Sequence, residues 1–424
     1  MSVSRRDFLK AAGITSLAAA AGCAAPPASA VAEKARVVIV GGGYGGATAA
    51  RYIRMLDPAI GVVLVEPDAQ FVSCPLSNMV LGGFRSMGDI TRPYTVLERR
   101  YGVRVAHDRA SAVDASKREV RLAGGEALKY DRVIVSAGID FMFDEMPAMG
   151  TPEAAGRVLH AWKAGPQTAA LRRQIEAMRD GGVFVISIPE MPYRCPPGPY
   201  ERACQVAAYF QRAKPRSKVL ILDANGDVTS KGALFKKAWS ELYGGMIEYH
   251  PNSKAVDVDI ATRTVKLELE DVKGDVLNVI PPMKAANVAN PFITANGRWC
   301  EVDWLTYESK VAPGVHVLGD SLQIAPVMPK SASMANGHGK TCAHAVVALL
   351  SGAAPNEAPT LLNTCYSMVS DTLAIHVASV HKYDPAGRTM RAVPGAGGLS
   401  AEMNEREGLL ATNWALNTWA DALG

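Results

Sequence analysis

The sequence lacks several features that would place it in a specialised class of protein. After residue 30 no segment reaches the roughly eighteen consecutive apolar residues that a membrane-spanning helix needs. Lys and Arg form no phosphate-tracking stripe, and the net charge is only +4 over 424 residues. The cysteines match neither the Cys-x-x-Cys-His pattern of c-type haem attachment nor a zinc-type Cys-x-x-Cys pair. We therefore expect no transmembrane anchor, nucleic-acid partner, haem or metal on this chain.

What remains is an ordinary globular composition. Hydrophobic residues make up 48% of the chain and charged residues 20%, with a mean hydropathy of +0.04. These values exclude collagen-like, coiled-coil and wholly disordered proteins. At about 150 residues per domain, the length predicts two or three domains.

The first thirty residues form a targeting signal rather than a domain. Residues 4–10 (SRRDFLK) are a twin-arginine signature, and an Ala-rich apolar stretch then leads to an Ala-x-Ala cleavage pattern at 28–30. Cys23 raises a lipoprotein alternative, which is disfavoured because Ala20 stands where a lipobox usually has Leu. We predict a signal peptide over residues 1–30, export by the twin-arginine pathway and a periplasmic mature protein.

The next segment carries a dinucleotide-binding pattern. A β-branched run over 35–40 is followed by Gly41, Gly43 and Gly46 in G-x-G-x-x-G spacing, and then by a helical stretch. A second apolar strand ends at Glu66, about 20 residues beyond the last glycine. Glycines let the backbone approach a pyrophosphate, the helix N-terminus stabilises its charge, and the acid binds a ribose hydroxyl.

Two further segments distinguish FAD from NAD. Residues 128–138 (LKYDRVIVSAG) and 315–320 (VHVLGD) resemble flavin-contacting segments of flavoproteins with two dinucleotide domains. In that resemblance Ala137 and Gly138 close the first segment, while Gly319 and Asp320 close the second, with the Asp at the ribityl chain. Each segment alone is typical of a buried strand ending in a turn. Together with the glycine pattern they imply FAD.

A second Rossmann-like unit lacks its nucleotide pattern. The strand at 183–188 (VFVISI) corresponds to the one that precedes a second G-x-G-x-x-G in pyridine-nucleotide relatives. Here it is followed by 189–198 (PEMPYRCPPG), which has no phosphate-cradling glycines. We predict that the fold persists without a nicotinamide site, so that electrons come from a donor other than NAD(P)H.

Five blocks make the resemblance specific. They lie at residues 71–78 (FVSCPLSN), 160–165 (HAWKAG), 194–202 (RCPPGPYER), 299–303 (WCEVD) and 362–367 (LNTCYS). They resemble the flavoprotein subunit of flavocytochrome c sulfide dehydrogenase. The resemblance implies a periplasmic enzyme that oxidises sulfide to sulfur or polysulfide. It also implies a c-type cytochrome subunit, in a heterodimer, as the electron acceptor.

The same resemblance implies roles for individual residues. The family cysteine matching Cys74 carries FAD through a thioether, and those matching Cys195 and Cys365 form a redox disulfide beside the flavin. Lys330 matches the stretch near the pyrimidine edge, and Trp414 matches an aromatic residue near the flavin. The alternatives are a buried apolar thiol at Cys74, a structural disulfide, an exposed lysine and a tryptophan that only packs.

The other cysteines fall outside this scheme. Cys204 and Cys342 lie in helical stretches and are predicted to be small core residues, whereas Cys300 matches a family cysteine to which no chemistry is assigned. From sequence alone, a pairing of Cys342 with Cys195 or Cys300 stays open. Pro75 departs from the family pattern, which has an aromatic residue after the flavin cysteine.

The predicted architecture is an α/β fold with two Rossmann-like dinucleotide-binding-type domains and a C-terminal interface domain. After the signal peptide, the predicted segments are a first part of the FAD domain at 31–155, a second Rossmann-like domain at 156–285, a second part of the FAD domain at 286–350, and the C-terminal domain at 351–424.

Two other functions compete with this prediction. A sulfide:quinone oxidoreductase would need an amphipathic C-terminal helix to reach quinone, and residues 401–424 lack a basic amphipathic face. A non-catalytic electron-transfer flavoprotein partner would differ in showing no reduction of its flavin by sulfide.

Overall fold

The computed structural model describes residues 33–424, so the predicted signal peptide and Cys23 lie outside the described residues. Residues Ala35–Gly424 form one unit. It contains a six-stranded, mostly parallel sheet, a four-stranded parallel sheet, three antiparallel sheets of three strands each and two antiparallel pairs of strands.

The first stretch of chain builds most of the larger parallel sheet. Its elements are β1 (Ala35–Val40), α1 (Tyr44–Leu56), β2 (Ile60–Val65), β3 (Gln70–Val72), α2 (Ser77–Gly82), β4 (Thr91–Pro93), α3 (Thr95–Tyr101), β5 (Arg104–Ala106), β6 (Ala110–Asp114), β7 (Glu119–Leu122), β8 (Ala127–Lys129), β9 (Arg132–Val135) and β10 (Ile139–Phe141). Strands β1 and β2 run parallel with Val37 opposite Val62, and β2 is buried along its whole length. This burial explains their continuous apolar sequence, which is typical of parallel strands covered on both faces.

A second stretch builds a separate parallel sheet. Its elements are α4 (Pro152–Arg157), α5 (Pro166–Ala177), β11 (Val183–Ile188), α6 (Gly198–Ala213), β12 (Lys218–Asp223), α7 (Gly232–Tyr243), β13 (Ile247–His250), β14 (Ala255–Asp259), β15 (Thr264–Leu267), β16 (Asp271–Lys273), β17 (Val276–Val279) and β18 (Met283–Ala285). Four of them form an all-parallel sheet in the order β13-β12-β11-β17. The second Rossmann-like unit predicted from the sequence is therefore present.

The chain then returns to the first sheet and ends in a different structure. Its elements are β19 (Glu308–Ser309), β20 (Ala312–Val317), α8 (Ala332–Leu350), β21 (Thr360–Met368), β22 (Ala374–Asp384), β23 (Thr389–Leu399) and α9 (Glu405–Leu423). Strand β20 pairs in parallel with β9 and completes the order β19-β20-β9-β1-β2-β5. Strands β21 to β23 form an antiparallel sheet. No helix within residues 33–424 is long and apolar enough to cross a membrane.

Close packing of α1 against α8 fixes the start of the glycine pattern. A Cβ at Gly339, on α8, would lie 2.5 Å from the carbonyl oxygen of Gly45, so only a glycine lets the helices approach this closely. The buried face of α1 is also small, with Ala47, Ala49 and Ala50 fully inaccessible. The predicted α/β class with Rossmann-like units is confirmed, while the exact domain boundaries stay a prediction.

Candidate functional site

The glycine pattern forms a tight turn between β1 and α1. Gly41 has φ +98°, and a Cβ there would lie 2.5 Å from the carbonyl oxygen of Ser136. A Cβ at Gly46 would overlap the carbonyl oxygen of Gly41, whereas one at Gly43 would meet no protein atom within 4 Å. Gly43 also precedes α1 without a side-chain cap, so the amides at this helix start are free for an anionic group.

Glu66 connects the end of β2 to this turn. Its Oε2 accepts a hydrogen bond from the Gly42 amide at 2.7 Å, and its Oε1 accepts one from the Asp68 amide at 3.0 Å. Burial raises the pKa of the Glu66 carboxyl. The carboxyl therefore positions the turn as well as lining the space beside it.

The segment after β20 supplies an unpartnered acid. Gly319 has φ +74° and begins a short turn in which Asp320 Oδ1 is buried without a hydrogen-bond partner. Gly138 lies close by, since its carbonyl oxygen accepts a hydrogen bond from the Ser321 hydroxyl. A buried carboxylate oxygen without a partner is costly, and a ligand hydroxyl would satisfy it.

Lys330 is buried rather than exposed, so the alternative of a solvated lysine is wrong. Its side chain is only 3% exposed, and Nζ lies 3.5 Å from the centre of the Trp299 ring. Nζ donates to the backbone carbonyls of Asp320, at 2.9 Å, and Leu322. Burial lowers the pKa of the Lys330 amine to about 7.

Cys74 and Arg194 form a contact that the sequence did not suggest. Cys74 lies between β3 and α2, and Arg194 Nη2 donates a hydrogen bond to its Sγ at 2.6 Å. The same Nη2 donates to the carbonyl oxygen of Trp162 at 2.6 Å. Arg194 directly precedes Cys195, and its charge lowers the pKa of the Cys195 thiol.

Cys195 and Cys365 reach the site from distant parts of the chain. Cys195 follows β11 in the left-handed region, with φ +57°, and its amide donates to the carbonyl oxygen of Lys330 at 2.8 Å. Cys365 lies in β21, opposite Val377. Both are unpaired thiols and both line the same cavity. Burial raises the pKa of Cys195, and the nearby Cys365 raises it further, so the two sulfurs lie within electrostatic range of each other.

Two buried charged residues beside this cysteine pair were not predicted from the sequence. Glu201, in the first turn of α6, accepts hydrogen bonds from the Met368 amide at 3.1 Å and the Asn78 side chain at 3.2 Å. Lys231, just before α7, donates to the Cys365 carbonyl oxygen at 2.9 Å and the Ser367 hydroxyl at 2.8 Å. Burial raises the pKa of Glu201 and lowers that of Lys231. Glu201 lies inside the block at 194–202, so a signal existed for it, whereas Lys231 lies in an ordinary turn sequence.

An aromatic pair from the C-terminal region also lines the cavity. Trp414, on α9, has its ring centre 6.4 Å from that of Tyr366, on β21. Tyr366 in turn lies 5.5 Å from the ring of His376, which bonds Glu407 at 2.6 Å. Trp414 therefore lies beside the cavity, and the rings of Tyr366 and His376 extend away from it.

These parts enclose one cavity of about 810 Å³, within the range typical of cofactor sites. Every predicted site residue except Gly46 lines this cavity. The lining site residues are Gly41, Gly43, Glu66, Cys74, Ala137, Gly138, Cys195, Gly319, Asp320, Lys330, Cys365 and Trp414. Gly46 supports the turn indirectly, because the absence of a side chain there leaves room for the Gly41 carbonyl oxygen. The glycine turn, the open helix start and the unpartnered Asp320 oxygen all fit FAD.

The remaining cysteines do not reach this cavity. Cys204 and Cys342 are fully buried in α6 and α8, as predicted for small core residues. Cys300 is also fully buried, with its Sγ 3.8 Å from the carbonyl oxygen of Ala289. All three are unpaired thiols.

Comparison with known structures shows a shared fold over most of the chain. The sulfide:quinone oxidoreductase of Aquifex aeolicus superposes with a TM-score of 0.71 at 16% identity, covering 92% of this chain and 91% of that one. A NAD-dependent persulfide reductase from A. fulgidus superposes with a TM-score of 0.63 at 13% identity, covering 90% of this chain and 77% of that one.

Sequence comparisons identify the family of this chain. A model for pyridine nucleotide-disulphide oxidoreductases matches residues 35–163. Models for the central part of the sulfide dehydrogenase [flavocytochrome c] flavoprotein chain and for the flavocytochrome c sulphide dehydrogenase flavin-binding part match 168–281 and 357–423. The sulfide dehydrogenase [flavocytochrome c] flavoprotein chain of Chlorobaculum thiosulfatiphilum is 64% identical over 37 residues, which are 9% of this chain and 77% of that sequence. The chain therefore belongs to the flavoprotein chains of flavocytochrome c sulfide dehydrogenase, sulfide-oxidising flavoproteins within the pyridine nucleotide-disulphide oxidoreductase family.

Proposed function

We propose that this protein is a periplasmic sulfide dehydrogenase subunit that oxidises sulfide at a Cys195–Cys365 disulfide and passes electrons through FAD to a c-type cytochrome. One observation carries the proposal. Two cysteines 170 positions apart in the sequence line the cavity that also contains the glycine turn, Cys74 and Asp320. A structural disulfide would not require a place beside a cofactor cavity.

The residues that would hold FAD divide by the chemistry of the cofactor. Gly41, Gly43 and the start of α1 suit the pyrophosphate, and Glu66 suits a ribose hydroxyl. The unpartnered Asp320 oxygen suits a ribityl hydroxyl. Cys74 is the proposed site of covalent attachment, and the Arg194 guanidinium, which donates to its Sγ at 2.6 Å, holds this sulfur in place at the cavity.

The first chemical step is thiol–disulfide exchange. Hydrosulfide attacks one sulfur of the disulfide, so a new S–S bond forms to the incoming sulfur while the Cys195–Cys365 bond breaks. One cysteine becomes a persulfide and the other a thiolate. A second hydrosulfide then attacks the outer sulfur of the persulfide. The new S–S bond forms hydrogen disulfide (HSS⁻), the bond to the cysteine sulfur breaks, and both cysteines are left reduced. When bound, FAD supplies the acceptor for the electron pair released as the disulfide re-forms, and it can pass these electrons on singly.

Side chains of this protein must accept and return the protons in this reaction. Re-forming the disulfide requires both cysteines to lose their protons, although burial raises the pKa of each thiol. Glu201 is the buried carboxyl within electrostatic range of both sulfurs, and burial raises its pKa as well. We therefore assign to Glu201 the role of accepting a proton from a thiol and returning it.

The electron acceptor is identified by testing which compounds the sulfide-reduced protein reduces. The family description supports a cytochrome partner, while exposed Leu409 and Leu416 on α9, 62% and 48% accessible, are the feature that favours quinone or a membrane surface. Purification from native periplasm should recover a haem-staining polypeptide, and sulfide should bleach the flavin and then reduce that cytochrome. Rapid reduction of a quinone with no reduction of any cytochrome c would favour the sulfide:quinone oxidoreductase instead.

Export is tested separately. Changing Arg5 and Arg6 together to Lys should leave the full-length precursor inside the cell, because the twin-arginine pathway reads both guanidinium groups. The wild-type protein should be recovered from the periplasm with its N-terminus after residue 30. A precursor that is still processed in the double variant would contradict this route.

A further inference from the structure

Lys231 is a buried amine with an unusual position. It is 4% exposed, although lysine is among the residues least often buried, and its backbone lies in the left-handed region with φ +59°. Its Nζ donates to the Cys365 carbonyl oxygen at 2.9 Å and to the Ser367 hydroxyl at 2.8 Å. No Asp or Glu pairs with it directly among the ion pairs of residues 33–424. The chain thus keeps an amine inside the protein beside one particular cysteine.

The two cysteines differ in the cation that each one faces. Lys231 contacts the residue that carries the Cys365 thiol, and its charge lowers the pKa of that thiol against the rise caused by burial. Arg194, which directly precedes Cys195, also lowers the pKa of the Cys195 thiol, but its guanidinium donates hydrogen bonds to Cys74 Sγ and the Trp162 carbonyl oxygen rather than to Cys195. Glu201 lies within range of both sulfurs and raises the pKa of each, so it does not distinguish them.

We propose that Lys231 is a positioning residue that stabilises the thiolate on Cys365 and thereby directs the sulfur atom of sulfide to Cys195. The proposal rests on the sulfide-oxidising function proposed above. In the step, HS⁻ forms a bond to Cys195 Sγ, the Cys195–Cys365 bond breaks, and its electron pair leaves on Cys365 Sγ. Cys195 then carries the persulfide with the proton that HS⁻ brought, and no external oxidant is needed.

The physical reason is the movement of charge. Before the step the negative charge is on hydrosulfide, and after it the charge is on a sulfur inside the protein. An unpaired buried charge is costly, and in thiol–disulfide exchange the sulfur whose thiolate is better stabilised leaves faster. An ammonium beside Cys365 satisfies both conditions for that sulfur.

The persulfide can be located directly. Oxidised holoenzyme would receive one equivalent of sulfide without oxygen, then be quenched with an alkylating reagent and digested for peptide mass spectrometry. The expected result is one extra sulfur on the Cys195 peptide and a simply alkylated Cys365. Extra sulfur on Cys365 in the wild-type protein overturns the assignment to Lys231 but leaves the proposed function intact. Flavin bleaching with extra sulfur on neither cysteine overturns the disulfide mechanism, and this inference with it.

Variants separate a charge effect from a structural one. Lys231→Met should move part of the extra sulfur to Cys365 and slow bleaching by roughly threefold, because exchange slows as the pKa of the leaving thiol rises. Lys231→Arg keeps the charge and should retain the wild-type distribution. The matched control is Lys236→Met on α7, the helix that Lys231 precedes; its side chain is 49% exposed and pairs with Asp227, and the change should have no effect. An unchanged distribution in Lys231→Met would overturn the proposal.

A second readout does not depend on turnover or on full activity of the variant. In the reduced enzyme, the alkylation rate of Cys365 followed against pH reports its apparent pKa. The groups facing it are Lys231, Glu201 and Cys195. Replacing Lys231 by Met or Gln should raise that apparent pKa by about one unit. A Cys365 profile that stays in place while flavin content and circular dichroism are normal would contradict the proposal.

Discussion

The two Rossmann-like units use the same strand and helix arrangement for different chemistry. In the first, β1 leads through a glycine turn into α1, and the open position at Gly43 leaves the helix start accessible. In the second, β11 leads through a proline-rich loop into α6, and a Cβ at Gly198 would lie 2.9 Å from Cys195 Sγ. One loop admits a phosphate group, whereas the other presents a thiol. The fold determines where a loop lies, and the residues of the loop determine what it does.

The backbone shows the same contrast. Gly41 has φ +98° at no steric cost, whereas Cys195 has φ +57° although it carries a side chain. The Cys195 amide is bonded to the Lys330 carbonyl oxygen, and its own carbonyl oxygen accepts from the Gly198 amide at 2.9 Å. These bonds hold a conformation that a cysteine rarely adopts and aim its sulfur at the cavity.

The largest expected effect comes from filling the first loop. Gly46→Val places a side chain against the Gly41 carbonyl oxygen, so we expect loss of bound flavin and destabilisation by about 3 kcal/mol or more. Flavin absorbance and a denaturant titration would measure both. Gly156→Ala, on α4 with no atom within 4 Å of the new Cβ, is the matched control and should be silent. A Gly46→Val protein that keeps its flavin would refute the role of the turn.

Removing the thiol of Cys195, in the second loop, or of its proposed partner Cys365 should stop the reaction without affecting flavin binding. Cys195→Ser and Cys365→Ser should each keep FAD but lose flavin reduction by sulfide by orders of magnitude, because neither can close the disulfide. Stopped-flow absorbance would measure the rate. Cys342→Ala, a change in the core of α8, should stay active. Near-normal turnover in Cys365→Ser together with an inactive Cys342 variant would mean that Cys195 has another partner.

Cys74 tests the contact between the two units. Cys74→Ala removes the proposed thioether, so FAD should become extractable by acid precipitation while the glycine turn still binds it. The yellow colour should leave the pellet and appear in the supernatant. Flavin that still resists denaturing extraction in Cys74→Ala would show that the attachment lies elsewhere.

The smallest effect concerns acid stability. Burial lowers the pKa of His316, on β20, to about 4 and that of His338, on α8, to about 3, whereas an unfolded histidine titrates near 6.5. Between about pH 6.5 and 4 the unfolded chain therefore binds protons that the folded chain does not, and the free energy of unfolding falls as pH falls. Hydrogen exchange followed by mass spectrometry should show β20 and α8 opening before β11 and β12.

His338→Phe provides the control for this pH dependence. His338 packs against Tyr307, with ring centres 5.1 Å apart, and neither of its nitrogens has a hydrogen-bond partner, so a phenyl ring suits the site. The variant should lose less stability on acidification than the wild-type protein. An identical loss would assign the acid sensitivity to other groups.

Much of the first unit could be predicted from its sequence because its signals are local. The strand, the glycines and Glu66 lie within a short stretch, and their spacing reports their geometry. The pairing of Cys195 with Cys365 could be inferred only from a family resemblance, since two cysteines so far apart meet only through the fold. Arg194, Glu201 and Lys231 were missed because charged side chains are usually exposed. The antiparallel sheet of β21 to β23 was missed as well, since β23 ends in a glycine-rich stretch that is atypical of a strand.

The central claim is that Cys195 and Cys365 are a redox pair beside a flavin held by the first unit. Peptide mapping of the oxidised protein, without reductant, tests it most directly. The account predicts a disulfide-linked pair of peptides containing Cys195 and Cys365, flavin on the Cys74 peptide, and loss of the link when sulfide bleaches the flavin. A disulfide between Cys195 and any other cysteine, or a Cys195–Cys365 link that sulfide leaves intact while the flavin is reduced, would contradict it.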